Sequence, residues 1–292
     1  MILTPFDYVE CADVAQAVSL LREAGDAARL IAGGTALVPL LKHRLASADV
    51  LVSVSRIPEL RRIEVGADGG LRVGSSSTHR IVSRSAVIKD HSPLLAYACG
   101  RVASPTIRAM GTLGGNLSYG ESASDPSPAL IALGAQIVVQ GPQGRRRMAV
   151  EDLFSGFYET VLAADEVIED IVVPTESRSR RWRYLKWTPR AQEDKALVGL
   201  AVVAEPVREG RSHTCRSIRI GLGGVNPFPV RLRETERVLA GAEISPDVIV
   251  RAAETAAAEV KPFDDLQASA DYRREMVRVW VRRIVSELLE VA

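Results

Sequence analysis

The chain has 292 residues, 47% of them apolar and 25% charged, with a formal charge of +1. That leaves room for two domains of roughly 100–200 residues each, with a globular composition and no charge excess to attract nucleic acid. Cys11, Cys99 and Cys215 are the only cysteines and no CxxC or Cys/His cluster exists, so neither an iron–sulfur cluster nor a structural zinc is expected on this chain.

In chain order, Asp13 is placed to cap a helix through "DVAQAVSLLREAG", with Val14, Ala17, Val18 and Leu21 on one face and Gly25 just past its end. "ARLIA" reads as a buried strand, "GGT" as a turn, "ALVPLLKHRLA" as a helix with Pro39 in its first turn, and "VLVSV" as another strand. Residues 1 to about 55 thus form a small strand–helix–strand unit. "RIEVGADGGLRVGSSST" alternates around a Gly-Gly break, the pattern of a hairpin. Helical stretches are expected over Pro93–Val102 and in "PSPALIALGA", then a hairpin in "QIVVQGPQGRRRMAV", and a strand in "EVIEDIVVP" that stops at Pro174.

The polar, basic "TESRSRRWR" reads as a crossing between domains. Beyond it, strands are expected at "RYLKWTPR", "ALVGLAVVAEPV" and "CRSIRIGLGGV". Helices follow at "RLRETERVLAG", "SPDVIVRAAETAAAEV" and "DYRREMVRVWVRRIVSELLEVA". Strands followed by helices suggest a separate α+β domain. The last helix carries a stripe of Met276, Trp280, Ile284 and Leu288 flanked by Arg273, Arg274, Arg278, Arg282 and Arg283, which reads as packing within its own domain. Arg145–Arg147 lack an aromatic stacking platform and read as a solvated turn, so no nucleic-acid partner is expected. No apolar run approaches the roughly 20 residues that span a bilayer, and "MILTPFDYVECAD" lacks the pattern of a signal peptide. With sparse cysteines, a cytoplasmic location is expected.

Several chemistries lack their signatures. There is no Rossmann G-x-G-x-x-G, no Walker-type loop and no G-x-S-x-G elbow; "GLGGVNP" comes nearest to the first and has the wrong spacing. His43, His79, His91 and His213 have no neighbours at metal-ligand spacing and are expected at the surface or at helix ends. Two glycine segments remain, "RLIAGGTALVPLL" and "GTLGGNLSYGESASD". Consecutive glycines let backbone N–H groups approach a diphosphate, and Thr35, Thr112 and Asn116 add neutral donors beside them. Asp125 suits a sugar or ribityl hydroxyl better than a phosphate. The same glycines would also serve as tight turns beside strands, and at this level both readings stand.

These residues resemble the FAD-binding medium subunits of the molybdenum hydroxylases, the group of aerobic carbon monoxide dehydrogenase, xanthine dehydrogenase and 4-hydroxybenzoyl-CoA reductase. The resemblance continues through "LAADEVIEDIVVP", "YLKWTPRAQEDKALVGLAVV", "IRIGLGGVNPFPVR" and "DDLQASADYRREMVRVWVRR", nearly the whole chain. It implies an α+β fold: a two-subdomain FAD-binding domain of vanillyl-alcohol-oxidase type over residues 1–175 (subdomains about 1–55 and 56–175), then a smaller domain over 178–292 with an antiparallel sheet and helices. By the family's pattern, Ala32, Gly33, Gly34 and Thr35 wrap the FAD diphosphate, with Arg29, Leu30, Ile31 and Ala36 as flanks. Thr112, Leu113, Gly114, Gly115 and Asn116 form a second cradle. Asp125 falls where the family has an FAD-contacting aspartate, Ile168 and Val102 match flavin-side positions, and Lys186 matches a lysine that approaches the cofactor.

Two departures stand out. Relatives often carry a polar residue where this chain has Ala36, and Lys195 follows Asp194 where they continue with an apolar one. The resemblance further implies an electron conduit. A molybdenum-cofactor large subunit would oxidise the substrate, a small subunit would carry two [2Fe–2S] clusters, and FAD here would pass electrons to NAD, a quinone or oxygen, in a dimer of heterotrimers. No general acid, base or nucleophile is expected on such a chain. A free-standing flavoprotein oxidoreductase and a non-enzymatic nucleotide-binding scaffold are the alternatives. A valine at Gly33 or Gly114 is expected to fill the diphosphate's space and abolish FAD retention in a folded protein.

Overall fold

The structure, a computed structural model, describes residues 3–175, 179–209 and 212–289. Strand β1 (Asp7–Glu10) leads to helix α1 (Val14–Ala24), whose N-terminus is capped by Asp13 accepting from the Gln16 N–H at 2.8 Å. Val14, Ala17, Val18 and Leu21 are its buried face, as the spacing predicts. After β2 (Ala28–Ile31) comes the first glycine loop, then helix α2 (Leu37–Lys42) and strand β3 (Val50–Ser53). The strands form a parallel sheet in the order β1-β3-β2. β1 escaped the sequence reading because it is an exposed edge of four residues, held in register by β3 rather than by its own pattern. The helix expected to run on through His43 ends at Lys42, and Arg44 follows with φ 59°.

The expected hairpin is β4 (Ile63–Val65) and β5 (Leu71–Gly74). A layer of short helices follows: α3 (His79–Arg84), α4 (Ala86–His91), α5 (Pro93–Gly100), α6 (Pro105–Met110), α7 (Leu113–Tyr119) and α8 (Pro126–Leu133). The second glycine segment therefore opens a helix, with Thr112 as its cap. Strands β6 (Gln136–Gly141) and β7 (Gly144–Ala149), a small ribbon of β8 (Phe154–Gly156) and β9 (Glu159–Thr160), and β10 (Val167–Val173) complete the region. The main sheet runs β4-β5-β10-β6-β7 and is antiparallel. Arg145 and Arg146 lie on β7 rather than in a turn, each bonded twice to a carboxylate, Glu169 and Glu166.

The C-terminal sheet runs β11 (Arg181–Trp187), β12 (Val198–Glu209), β13 (Ser212–Gly223) and β14 (Val230–Arg231), all antiparallel. β11 takes in Arg181 to Arg183, which the basic run had assigned to the interdomain crossing; residues 176–178 of that crossing lie outside the described residues. Helices α9 (Arg233–Leu239), α10 (Pro246–Glu259) and α11 (Ala270–Leu288) cover one face. The buried face of α11 is Arg273, Val277, Val281, Ile284, Val285 and Leu288, so the expected stripe is displaced, with Met276 and Trp280 only half-buried. Its last expected turn, residues 290–292, lies outside the described residues. The fold is α+β throughout.

"GLGGVNP" finds its purpose where the two regions meet. A Cβ on Gly221 would stand 2.0 Å from the Pro128 carbonyl oxygen, so β13 lies directly against the start of α8. The Gly224 N–H donates to the Ser122 carbonyl (2.7 Å) and the Ser122 hydroxyl to the Asn226 carbonyl (2.6 Å). Ala201 and Val203 of β12 share one core with the apolar residues of α8 and the main sheet. Burying a Val, Leu or Ile side chain such as those of Val203, Leu130 and Ile131 contributes about 1.5–3 kcal/mol, so the two regions are bound by packing as much as by these hydrogen bonds.

Candidate functional site

The two glycine segments, about eighty residues apart in sequence, touch. A Cβ on Gly33 would stand 2.0 Å from the Met110 carbonyl oxygen, and one on Gly111 would stand 3.2 Å from the Thr35 hydroxyl. Gly34 holds φ 68°, a left-handed conformation that turns the chain from β2 into α2. Between the segments opens a cleft of about 420 Å³. Its wall includes Arg29 to Leu37 from the first segment, Gly111, Thr112 and Gly114 to Asn116 from the second, Val102 from the turn after α5, and Val167 and Ile168 from β10.

The two segments are not equivalent. Among the described residues, the N–H groups of Gly33, Gly34, Thr35 and Ala36 have no protein acceptor, while the Gly34 and Ala36 carbonyls start α2. These amides are free for a ligand. In the second segment the amides are mostly spent. The Leu113 N–H donates to Ser77 O (2.9 Å), the Gly114 N–H to Ser75 O (2.8 Å) and the Gly115 N–H to the Thr112 hydroxyl (3.1 Å). A Cβ on Gly114 would stand 2.4 Å from the Ser75 Cβ. Gly33 and Gly114 are thus glycines because protein backbone passes close to them. The expectation that valine at either site leaves a folded protein is corrected: the side chain meets the fold before it meets a ligand.

Gly115 differs. It is exposed on the cleft wall, and an added Cβ would meet only its own cap hydroxyl, Thr112 Oγ1, at 2.8 Å. Asn116 is held by the Ser124 hydroxyl, which donates to Asn116 Oδ1 at 2.6 Å. Val102 is fixed from behind, where Arg108 Nη1 donates to the Val102 and Ala103 carbonyls at 2.7 and 2.5 Å. Arg29 contributes backbone only, its guanidinium turned back on the Asp26 and Ala28 carbonyls at 2.8 and 2.7 Å.

Three expected site residues do not line the cleft. Leu113 is fully buried in the main core. Asp125 and Lys186 are spent on each other: Lys186 Nζ lies 2.9 Å from Asp125 Oδ2 and 2.8 Å from the Arg101 carbonyl, and the Tyr184 hydroxyl donates to Asp125 Oδ1 at 2.8 Å. Both side chains are buried, at 2% and 6% exposure for Lys186 and Asp125. Burial pushes the Asp125 carboxyl up to about 6 against the pull of Lys186 and Tyr184. Each Asp125 oxygen thus already accepts one hydrogen bond from within the protein. The pair sits one residue behind the wall, beside Val102 through Arg101 and beside Asn116 through Ser124.

Other wall residues carried no sequence signal. Ser75 and Ser76 come from the turn between β5 and α3, and His79 is the first residue of α3. His79 stands at a helix end, as one arm of the expectation has it, yet it is 2% exposed. His43 and His91 are exposed, and the His213 side chain lies outside the described residues. Lys195 reaches the rim from the C-terminal domain and ion-pairs with Glu121, with the Tyr158 hydroxyl 3.3 Å away. Burial opposes the charge on Lys195, but the Glu121 hydrogen bond and charge outweigh it and hold the ammonium well above its ordinary range. Tyr119 packs at a tilt against Tyr158, ring centres 5.0 Å apart, and the Tyr158 φ of 55° marks a constrained turn at that rim.

An apolar wall with a short row of free amides and hydroxyls suits an elongated ligand bearing an anion, and the volume is that of a small-molecule site. The comparisons with known proteins agree. Residues 4–176 match the family described as the FAD binding domain in molybdopterin dehydrogenase, and residues 183–288 the CO dehydrogenase flavoprotein C-terminal domain. The chain is 35% identical to the nicotine 6-hydroxylase medium subunit of Paenarthrobacter nicotinovorans and 34% identical to the carbon monoxide dehydrogenase medium chain of Hydrogenophaga pseudoflava, over 98% of each chain in both cases. Carbon monoxide dehydrogenase from Hydrogenophaga pseudoflava superposes with a TM-score of 0.93 at 34% identity, covering 99% of this chain and 98% of that one. Quinoline 2-oxidoreductase from Pseudomonas putida 86 gives 0.89 at 27%, covering 99% of both. The cleft, the two-domain fold and these full-length matches lead to one conclusion: the chain belongs to the FAD-binding medium subunits of the molybdenum hydroxylases, oxidoreductase subunits whose cofactor is FAD.

Proposed function

We propose that this subunit is an electron conduit, taking electrons from [2Fe–2S] clusters on a small partner and passing them to NAD, a quinone or oxygen. The molybdenum centre that oxidises the substrate would sit on a large partner, in a dimer of heterotrimers. Residues 1–175 would hold FAD and residues 178–292 would close one side of its cleft. The observation that carries this reading is the meeting of the two glycine segments around one cleft with a free row of amides at Gly33 to Ala36.

FAD, when bound, supplies the redox chemistry. The residues of this chain bind, orient and shield. The free amides and the Thr35 hydroxyl would hold the diphosphate. Val102, Val167 and Ile168 offer an apolar wall to an aromatic ring, and the Lys195–Glu121–Tyr158 cluster restricts the rim. The sequence has no CxxC or Cys/His cluster, which supports a reading with the iron–sulfur centres on another chain.

The test is to purify the chain alone and with its partners. Alone it should be yellow, with FAD near one per chain and no reduction of the flavin by any substrate of the complex. With both partners present, substrate should reduce the flavin. Substrate-dependent reduction in the isolated chain would establish a free-standing flavoenzyme instead, and a colourless chain that takes up no FAD would end the reading.

A further inference from the structure

His79 opens α3 one residue after Thr78, whose hydroxyl caps the helix by accepting from the Ile81 N–H at 3.3 Å. The His79 N–H donates to the Gly111 carbonyl at 3.0 Å, a bond any residue would make. The imidazole is another matter. It is 2% exposed, it lines the cleft, and its Nδ1 is fully buried with no hydrogen-bond partner among the described residues. Native interiors rarely leave a buried polar atom unpaired, and here the unpaired Nδ1 decides which ring nitrogen carries the proton.

Its position points to which ligand atom. His79 Cδ2 lies 3.3 Å from the point where a Gly111 Cβ would stand, and Thr35 Oγ1 lies 3.2 Å from that same point. Nε2 is bonded to Cδ2, so the Cδ2–Nε2 edge of the ring lies near Gly111, where the Thr35 hydroxyl also stands close. We propose that His79 donates its Nε2–H to an oxygen of the FAD diphosphate held on the Gly33–Ala36 amides, a contact that rests on the FAD reading of this cleft. A neutral imidazole carries one proton and one lone pair. With no acceptor near Nδ1, the proton belongs on Nε2, facing the cleft. Burial, then the nearby Arg108 guanidinium, push the His79 pKa down to about 4, which keeps the ring neutral at pH 7. The anion is thereby held by neutral donors throughout, in keeping with a site whose other free donors are amides and a hydroxyl.

Glutamine, asparagine and leucine separate a donor from a space-filler. A glutamine amide nitrogen reaches where Nε2 lies, an asparagine nitrogen only where Nδ1 lies, and leucine fills volume without donating. The full-length chain, stripped of flavin, would be titrated with FAD and followed by flavin fluorescence. His79→Gln should bind within about threefold of the parent, whereas His79→Asn and His79→Leu should lose about 10- to 100-fold, the range for one hydrogen bond to a charged group. The 31P resonances of bound FAD should shift in the asparagine variant and not in the glutamine one. Equal FAD affinity in all three variants and the parent would overturn this contact while leaving the FAD cleft intact; a parent chain that binds no FAD would overturn both. If the leucine variant fails to fold, the contrast between glutamine and asparagine decides alone.

Discussion

Lys186 of β11 and Asp125 at the start of α8 form an ion pair at 2.9 Å inside the junction between the two regions, both side chains out of water. Neither ion would be tolerated there without the other, and the Tyr184 hydroxyl and the Arg101 carbonyl complete their hydrogen bonds. Lys186→Met should therefore destabilise the chain by about 3–5 kcal/mol, the cost of leaving one buried charge alone. The double variant Asp125→Asn/Lys186→Met should recover part of that loss. Urea unfolding of the three proteins checks both statements, and equal stability of the single and double variants would contradict them.

The glycines divide into those that serve the fold and one that serves the cleft. Gly33→Ala drives a methyl against the Met110 carbonyl oxygen, a contact of 2.0 Å with backbone, and should cost at least about 1–3 kcal/mol. Gly115→Ala meets only the Thr112 hydroxyl and lies within α7, so its stability should stay within about 1 kcal/mol of the parent. Its methyl projects from an exposed position on the wall, so FAD affinity should still fall. Thermal unfolding of the apo chains together with FAD titration separates the two classes.

Acid should expose His79. Its folded pKa of about 4 lies below the usual 6.5, so between those values the unfolded chain binds the extra proton. Stability from this group is fully present above pH 6.5 and is lost as pH falls toward 4, by about 3 kcal/mol in all. Asp125 has the opposite sign: its folded pKa of about 6 lies above the usual 3.8, so its contribution is present at low pH and lost as pH rises through 6. The parent curve shows the difference of the two. His79→Gln should remove the acid loss and leave the Asp125 slope, a change that urea unfolding at pH 4.5, 5.5 and 7 would register.

Arg273 anchors the second domain. It is 2% exposed, ion-paired with Asp265 at 2.7 Å, bonded to the Leu197 and Gly224 carbonyls at 3.0 and 2.5 Å, and stacked 4.7 Å from the Phe263 ring centre. A lysine cannot reproduce that fork, so Arg273→Lys should cost about 2–4 kcal/mol despite keeping the charge. Arg274→Lys, on the exposed side of α11, should change stability by less than about 0.5 kcal/mol.

The rim cluster should matter to access more than to stability. Lys195 is 58% exposed in its side chain, and such a pair contributes little to folding. Lys195→Met should leave the unfolding midpoint nearly unchanged while iodide quenches the fluorescence of bound FAD more readily.

Much of this was legible along the chain because it depends on local pattern. Periodicity marked α1, α10 and α11, alternation marked the two hairpins, and the two glycine segments stood out against their apolar flanks. The strands expected in the second domain are present, with β11 beginning two residues early. What local pattern does not carry is which polar groups are already satisfied. Gly33 and Gly114 look alike in sequence, yet the amide of one is free and that of the other is bound to Ser75, because an inter-segment hydrogen bond depends on residues far away in the chain. His79, Glu121 and Lys195 reach the cleft from the start of α3, the loop after α7 and the second domain. Asp125 and Lys186 were legible as two charged residues, whereas their pairing and removal from the wall were decided by α8 lying against β13. The sequence alone determined the elements and the family; the tertiary structure decided which donors stay free, because hydrogen-bond satisfaction is a property of contacts rather than of residues.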